Sequence, residues 1–452
     1  MSSKWVNVDF SAEHAPSHGP STSVRSQHGR SSEAESIAIE VGEPVKVGEG
    51  MQAYISYKIS TTTDRRQFQK GQFSVVRRFS DFVWLHASLC SLFPGVIVPP
   101  LPEKLLVGRF SPEFIEARRR ALHLFLRRCA VHPEIQHSEY LTVFLEASDE
   151  SLAAFKHDVL AKSKGKSSGG GGLFQWFDDT IVATISSTLG AQSIAVEKLK
   201  TTTDIQVEDM VAYMDALEPI IQSLAKHAHG LTKRAREIAD GLFEFGVALT
   251  LLGQAEENES LQTALCHVGT CSDKLSVLAA EHAEKEVLLF EEPILDYIRL
   301  VQAVKAALIK RNEVRSQYHG AVLDLEAKQT ALQKAQAKGG DKVDVAANDV
   351  TEAKQRVDAA KLEHDVVTER VLREVERFKQ EKLSDFKRIV LDYIQLQIAY
   401  NRKVEDEWSA VIPKLQMIQI ESPGKPSSGA SMPPPPPPVA FQAPPSTTDV
   451  AL

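Results

Sequence analysis

Residues 207–252 read VEDMVAYMDALEPIIQSLAKHAHGLTKRAREIADGLFEFGVALTLL. Apolar or small side chains return there at alternating intervals of three and four: Val207, Met210, Met214, Leu217, Ile221, Leu224, Ala228, Leu231, Ala235, Ile238, Leu242, Phe245, Leu249 and Leu252. A seam held over six heptads predicts a helix that buries one stripe against other helices. At 1.5 Å per residue the rod is roughly 70 Å long, too long to fold back inside one small globule. Pro219 lies inside it and predicts a bend. The remainder of the chain is organised around this element.

Two further helical segments follow it. One runs from Leu261 to about Ala337 with Pro293 inside, and one from Val343 to about Leu415, with turns at 253–259 and 338–341. Three long helices joined by tight turns predict an up-down-up antiparallel bundle. The second and third are longer than the first, so one chain cannot cover all their apolar faces. Dimerisation through the overhanging faces is the economical solution. Charge is uneven: residues 192–292 hold 8 Lys and Arg against 18 Asp and Glu, and residues 293–388 hold 19 against 16. Lys305, Lys310, Arg311 and Arg315, with Lys328, Lys334, Lys338 and Lys342 nearer the turn, are candidates for a surface facing anionic headgroups. A solvated face laced with ion pairs is the alternative.

Upstream, the pattern changes. Residues 1–36 are rich in Ser, His, Gly and Pro and predict an unfolded tail. Ile37 to Val41, Ala53 to Ile59 and Phe73 to Phe79 alternate apolar and polar residues, with Gly-Glu-Pro at 42–44 as a break, and predict a three-stranded antiparallel meander. Helical segments are expected at 81–93, 112–131 and 134–145, with Pro94 to Pro102 extended between the first two. This gives an α+β domain over 37–149. A Gly- and Ser-rich linker is expected over 150–172. An amphipathic helix over 173–190 carries Phe174, Phe177, Ile181, Ile185 and Leu189 on one face, and is a candidate membrane wedge or a strip that packs on the rod. The bundle then spans 191–417. Residues 418–452, with six prolines at 433–438, predict a tail of polyproline II character.

Composition excludes some functions. The chain has 452 residues and a formal net charge of −8, unlike the basic domains of general nucleic-acid binders. Four cysteines show neither CxxC spacing nor zinc-spaced His partners, so reduced thiols and no metal are expected. No signal peptide or membrane span is expected. Gly165-Lys166-Ser167 looks like the end of a phosphate loop, but Leu160 stands where the required glycine belongs. Neither a paired-carboxylate nor a nucleophile motif occurs at a recognisable spacing, so no catalytic residues and no cofactor are expected.

The chemistry-bearing stretch is Arg77-Arg78-Phe79-Ser80-Asp81-Phe82, followed by Pro99-Pro100-Leu101-Pro102-Glu103-Lys104 and Phe114-Ile115-Glu116-Ala117-Arg118-Arg119-Arg120. In kind and order these resemble a PX domain, a phosphoinositide-binding family. Phosphate monoesters suit the planar guanidinium, which grips them with paired hydrogen bonds. The resemblance implies that Arg78 takes the 3-phosphate with help from Ser80, that Phe79 forms the floor under the inositol ring, that Lys104 reaches the 1-phosphate and that Arg118 bonds the 4- and 5-hydroxyls. The family often has Tyr at the position of Phe79. Leu105 and Leu106 are candidates for dipping into the bilayer or for core packing. The helical part resembles the BAR domain of sorting nexins, through Phe290-Glu-Glu-Pro-Ile-Leu-Asp-Tyr-Ile-Arg299 and Glu374-Val-Glu-Arg-Phe378. The retromer-associated sorting nexins of PX-BAR type imply a crescent dimer, either homodimer or heterodimer with other sorting nexins. They also imply binding to phosphatidylinositol 3-phosphate or 3,5-bisphosphate membranes, association with retromer core subunits, and residence on the cytosolic face of endosomes or the trans-Golgi network. The rival reading is a cytosolic coiled-coil scaffold or vesicle tether that carries a lipid reader.

Overall fold

A computed structural model describes residues 36–104, 110–164, 200–338 and 342–418. The chain divides into two units between Lys198 and Leu199.

In the first unit, β1 (Ile37–Val47), β2 (Tyr54–Thr63) and β3 (Gln72–Arg78) form an antiparallel sheet in the order β1-β2-β3. The expected meander is therefore present. One detail differs. The break read at Gly42-Glu43-Pro44 does not end β1: the register shifts between Gly42 and Val45 and the strand continues. Glu43 takes a φ of 46°, the left-handed conformation that lets the extra residue bulge out of the ladder. α1 (Phe79–Leu92), α2 (Pro112–Val131) and α3 (Glu139–Glu146) cover the inner face of the sheet. The core joins Val41, Tyr57 and Ile59 of the sheet to Phe82, Leu85 and Leu89 of α1 and Leu122, Phe125 and Phe144 beyond.

The first part of the stretch expected as a linker over 150–172 is helical, and the rest lies outside the described residues. α4 (Asp149–Lys164) is helical, and it is held because Leu152 enters the core. Phe155 packs edge-on against Trp84 and Tyr140, and Lys156 reaches Asp81 at 2.6 Å. The helix read over 173–190 and both tails lie outside the described residues.

In the second unit α5 (Thr202–Ala255) runs through Pro219 as one 54-residue helix. The second expected helix is two: α6 (Glu259–Glu286) and α7 (Glu292–Lys338), joined by a π-helical turn at Val287–Glu291. Pro293 supplies the reason, because its ring crowds the carbonyl four residues back and a widened turn relieves it. α8 (Lys342–Gln416) is the third rod, 75 residues long. α5 packs along α6 and α7, and α8 along α7 and α6, as a three-rod bundle. Where α5 crosses α6 the backbones nearly touch: a Cβ on Gly246 would lie 2.9 Å from the Gly269 carbonyl oxygen, and one on Gly269 2.9 Å from that of Gly246. Only glycine fits both sides of that crossing.

A polar cluster flanks the π turn. Gln397 donates to Glu286 at 2.7 Å, and His282 stacks on Tyr400 with centroids 4.2 Å apart. Thr232 donates to Glu291. Burial pushes the Glu286 carboxyl above its ordinary range; the Gln397 hydrogen bond opposes this and the nearby Glu291 charge adds to it. A raised acid pKa means that ionising Glu286 costs stability, and the cost grows as pH climbs from the ordinary carboxylate range. Glu286→Gln should therefore raise the unfolding temperature of the rod near pH 8 by roughly 2–4 °C and change it little near pH 4.5. Thermal unfolding followed by circular dichroism at the two pH values checks this.

Candidate functional site

The site gathers around the junction of β3 and α1. Arg78 closes the strand and precedes the first turn of α1, and its backbone N–H donates to Asp81 Oδ2 at 2.9 Å. That bond fixes where the strand stops, so Arg78 points its side chain outward while Phe79 turns partly under the fold. The Arg78 side chain is 56% exposed, and its guanidinium stands 5.6 Å from the centroid of Tyr54 on β2. The first turn of a helix favours negative charge, which adds to that of the arginine. Ser80 is exposed beside it.

Arg118, from the second turn of α2, is buried. Its guanidinium lies 4.2 Å from the centroid of Phe79 and 4.3 Å from that of Phe114. Its Nη2 donates to the Glu103 carbonyl at 2.9 Å, which ties the Pro-rich loop to the helix. Lys104, next in that loop, is exposed. The expected residues Phe79 and Arg118 are thus in contact, with the backbone next to Lys104 joined to them and Arg78 and Ser80 adjoining in sequence. Leu105 and Leu106 lie outside the described residues, as do Phe174, Phe177 and Ile181.

Three residues beside the site were not singled out by sequence. Tyr57 is buried in the core and close enough to feel Arg118. Burial raises its hydroxyl pKa, the Arg118 charge lowers it and Glu116 raises it again. Arg119 donates to the Val41 carbonyl at 2.7 Å and to Glu116, pinning α2 to β1. Arg77 is the third. It is fully buried and donates to the carbonyls of Phe144 and Ala147 and to Asp149.

Of the basic residues expected on the rod face, Arg311 is buried, Lys305, Lys310, Arg315 and Lys328 are half-buried, and Lys334, Lys338 and Lys342 are exposed. Arg311 is buried, with its guanidinium on Asp204 and Thr368, so it is a core ion-pair residue and not a membrane contact. Arg315 sits 3.1 Å from the same carboxylate. Lys305 bridges Asp215 and Glu218 at 2.7 Å each, and Lys310 pairs with Glu313 at 3.0 Å. These four cations point in different directions around the helix, and Lys305 and Arg311 are the two that meet acidic residues of α5.

An α+β domain with an arginine-lined site, followed by a three-rod helical bundle, defines the class by architecture. Family models agree, with the PX domain matching residues 65–148 and the family described as Vps5 C terminal like matching residues 183–414. The chain belongs to the sorting nexins of PX-BAR type. It is 35% identical to sorting nexin 1 of Arabidopsis thaliana over 382 residues, covering 84% of this chain and 92% of that one. To sorting nexin-2 of Homo sapiens it is 29% identical over 395 residues, 84% of this chain and 73% of the relative. In fold it is similar to the SNX-BAR Mvp1 in a cryo-EM tetramer, with a TM-score of 0.64 and 14% identity over 83% of this chain and 99% of the other. The family is one of non-enzymatic adaptors, and membrane binding and curvature in endosomal sorting fit it.

Proposed function

We propose that this chain binds the cytosolic face of endosome membranes through 3-phosphoinositide headgroups and bends them as a dimer, in retromer-linked transport from endosome to Golgi. Arg78, Phe79, Ser80, Lys104 and Arg118 form the headgroup site, and phosphatidylinositol 3-phosphate or the 3,5-bisphosphate is the ligand. The observation that carries the site is the stacking of Arg118 on Phe79 beside the loop that carries Lys104. A guanidinium and an aromatic floor meet there, next to the loop that carries the exposed Lys104. The site domain covers 37–149 with α4 running on from it, and the rod's described helices run from Thr202 to Gln416.

Dimerisation is supported by the heptad seam. Val207, Met214, Ile221 and Ala228 are buried within the protomer. Leu224, Leu231, Ile238, Phe245 and Leu252, one heptad apart, are exposed, with Ile238 at 56% and Phe245 at 50%. On α8, Val390, Ile394 and Ile398 are exposed in the same way. A second rod covers such lines, whether from another copy or from another sorting nexin. Part of α5 is also apolar enough to pass for a membrane span, with a mean hydropathy of 1.2. Its periodic seam and the close packing on α6 assign that apolarity to a bundle. Two copies bring two headgroup sites to one surface, so weak single sites gain avidity without new contacts. Electron microscopy of phosphatidylinositol 3-phosphate vesicles separates this reading from a tether: narrow tubules support it, whereas clustered, undeformed vesicles support the scaffold.

A further inference from the structure

We propose that Phe114 is a positioning residue of the headgroup site, closing with Phe79 a two-ring clamp that presets the Arg118 guanidinium. The inference rests on the phosphoinositide reading above. Phe114 occupies the third position of α2, where its backbone N–H donates to Ser111 Oγ at 3.3 Å, so the helix start fixes its place. Arg118 lies four residues on, one turn along the same helix face. The guanidinium carbon lies 4.2 Å from the centroid of the Phe79 ring and 4.3 Å from that of Phe114. Phe79 also packs against the hydrophobic core, whereas Phe114 is absent from that core among the described residues and is only half-buried. A large aromatic side chain is thus placed at the surface with its ring on an arginine.

The consequence is directional. In such a clamp the rings take the faces of the guanidinium and leave its planar edge as the route for donation, the geometry that oxygen acceptors use. One edge nitrogen already anchors the Glu103 carbonyl. An unclamped arginine must lose rotamer freedom when it meets its ligand, whereas the clamp removes that loss beforehand.

The test uses the full chain and phosphatidylcholine vesicles with and without phosphatidylinositol 3-phosphate. Phe114→Leu should weaken binding about 5- to 10-fold with the unfolding temperature unchanged, and Phe114→Tyr, which keeps the ring, should bind as the unchanged protein does. In an Arg118→Ala background Phe114→Leu should cost nothing further. The clamp is refuted if Phe114→Leu binds normally, if its loss tracks a fall in unfolding temperature, or if the loss persists without Arg118. If Arg78→Ala and Arg118→Ala both leave binding intact, the headgroup reading fails and the clamp with it. Loss in those two variants alongside normal binding by Phe114→Leu refutes the clamp alone.

Discussion

Replacing Asp204 with alanine should destabilise the rod by about 3–5 kcal/mol, the scale for removing one partner of a buried ion pair. The Asp204 carboxylate is 3% exposed and faces Arg311, itself 1% exposed, with Arg315 Nε at 3.1 Å. It also accepts from the Thr201 N–H and hydroxyl at 2.9 Å each, capping the start of α5. The substitution strips the cap and strands two guanidiniums in a site with little water. Asp204→Asn retains an acceptor of the same shape and should cost less. Burial tends to raise the Asp204 pKa, but the Thr201 N–H and the Arg311 hydrogen bond outweigh it and hold the group down to about 2. A folded-state pKa below the ordinary 3.8 gives a stabilisation present above about pH 4 and lost as pH falls toward 2. Thermal unfolding of the wild type should show that acid limb, and Asp204→Ala should lack it.

Arg77→Leu should unfold the first unit at a markedly lower temperature, with a loss on the order of 3–5 kcal/mol. The Arg77 guanidinium is fully buried, and burial lowers its pKa while Asp149 and Asp81 restore part of the shift. Asp149 is 75% exposed, so the ion pair itself contributes little. The energy lies in the carbonyls of Phe144 and Ala147, which lose their donor in the variant, each at about 1–3 kcal/mol. Arg77→Lys should not rescue it, because an ammonium cannot reach several acceptors in one plane. Calorimetry should show the N-terminal transition shifted and the rod transition unmoved.

Arg77 and Arg78 show what the sequence could and could not convey. Side chains alternate along a strand, so Arg77 shares its face with Phe73 and Val75. That parity marks it as the inward arginine, and it was the available signal. The apolar parity of β1 and β2 was equally legible. Other features needed partners. The bulge at Glu43 and the π turn before Pro293 are local responses to strain that a pattern of apolar residues does not encode. Arg311 and Lys305 lie on a helix that also carries exposed lysines, and the placement of Asp204, Asp215 and Glu218 on α5 decides which cations turn inward. The heptad seam announced a bundle, but which of its two lines is covered within one protomer became visible only in the packed rods. For the headgroup site, the motif order supplied Arg78, Phe79, Lys104 and Arg118. The second ring on Arg118 follows from the four-residue spacing to Phe114 and was not drawn from it.

Co-sedimentation of the full chain and of Arg78→Ala with phosphatidylinositol 3-phosphate vesicles tests the central claim most directly. Arg78 is the exposed guanidinium of the site, and losing its charge-assisted hydrogen bonds to a phosphate costs about 1.5–3 kcal/mol per site. Binding should therefore fall by roughly 10- to 100-fold. The fall should be steeper where two linked sites act together. Equal sedimentation of the two proteins on those vesicles would contradict the account.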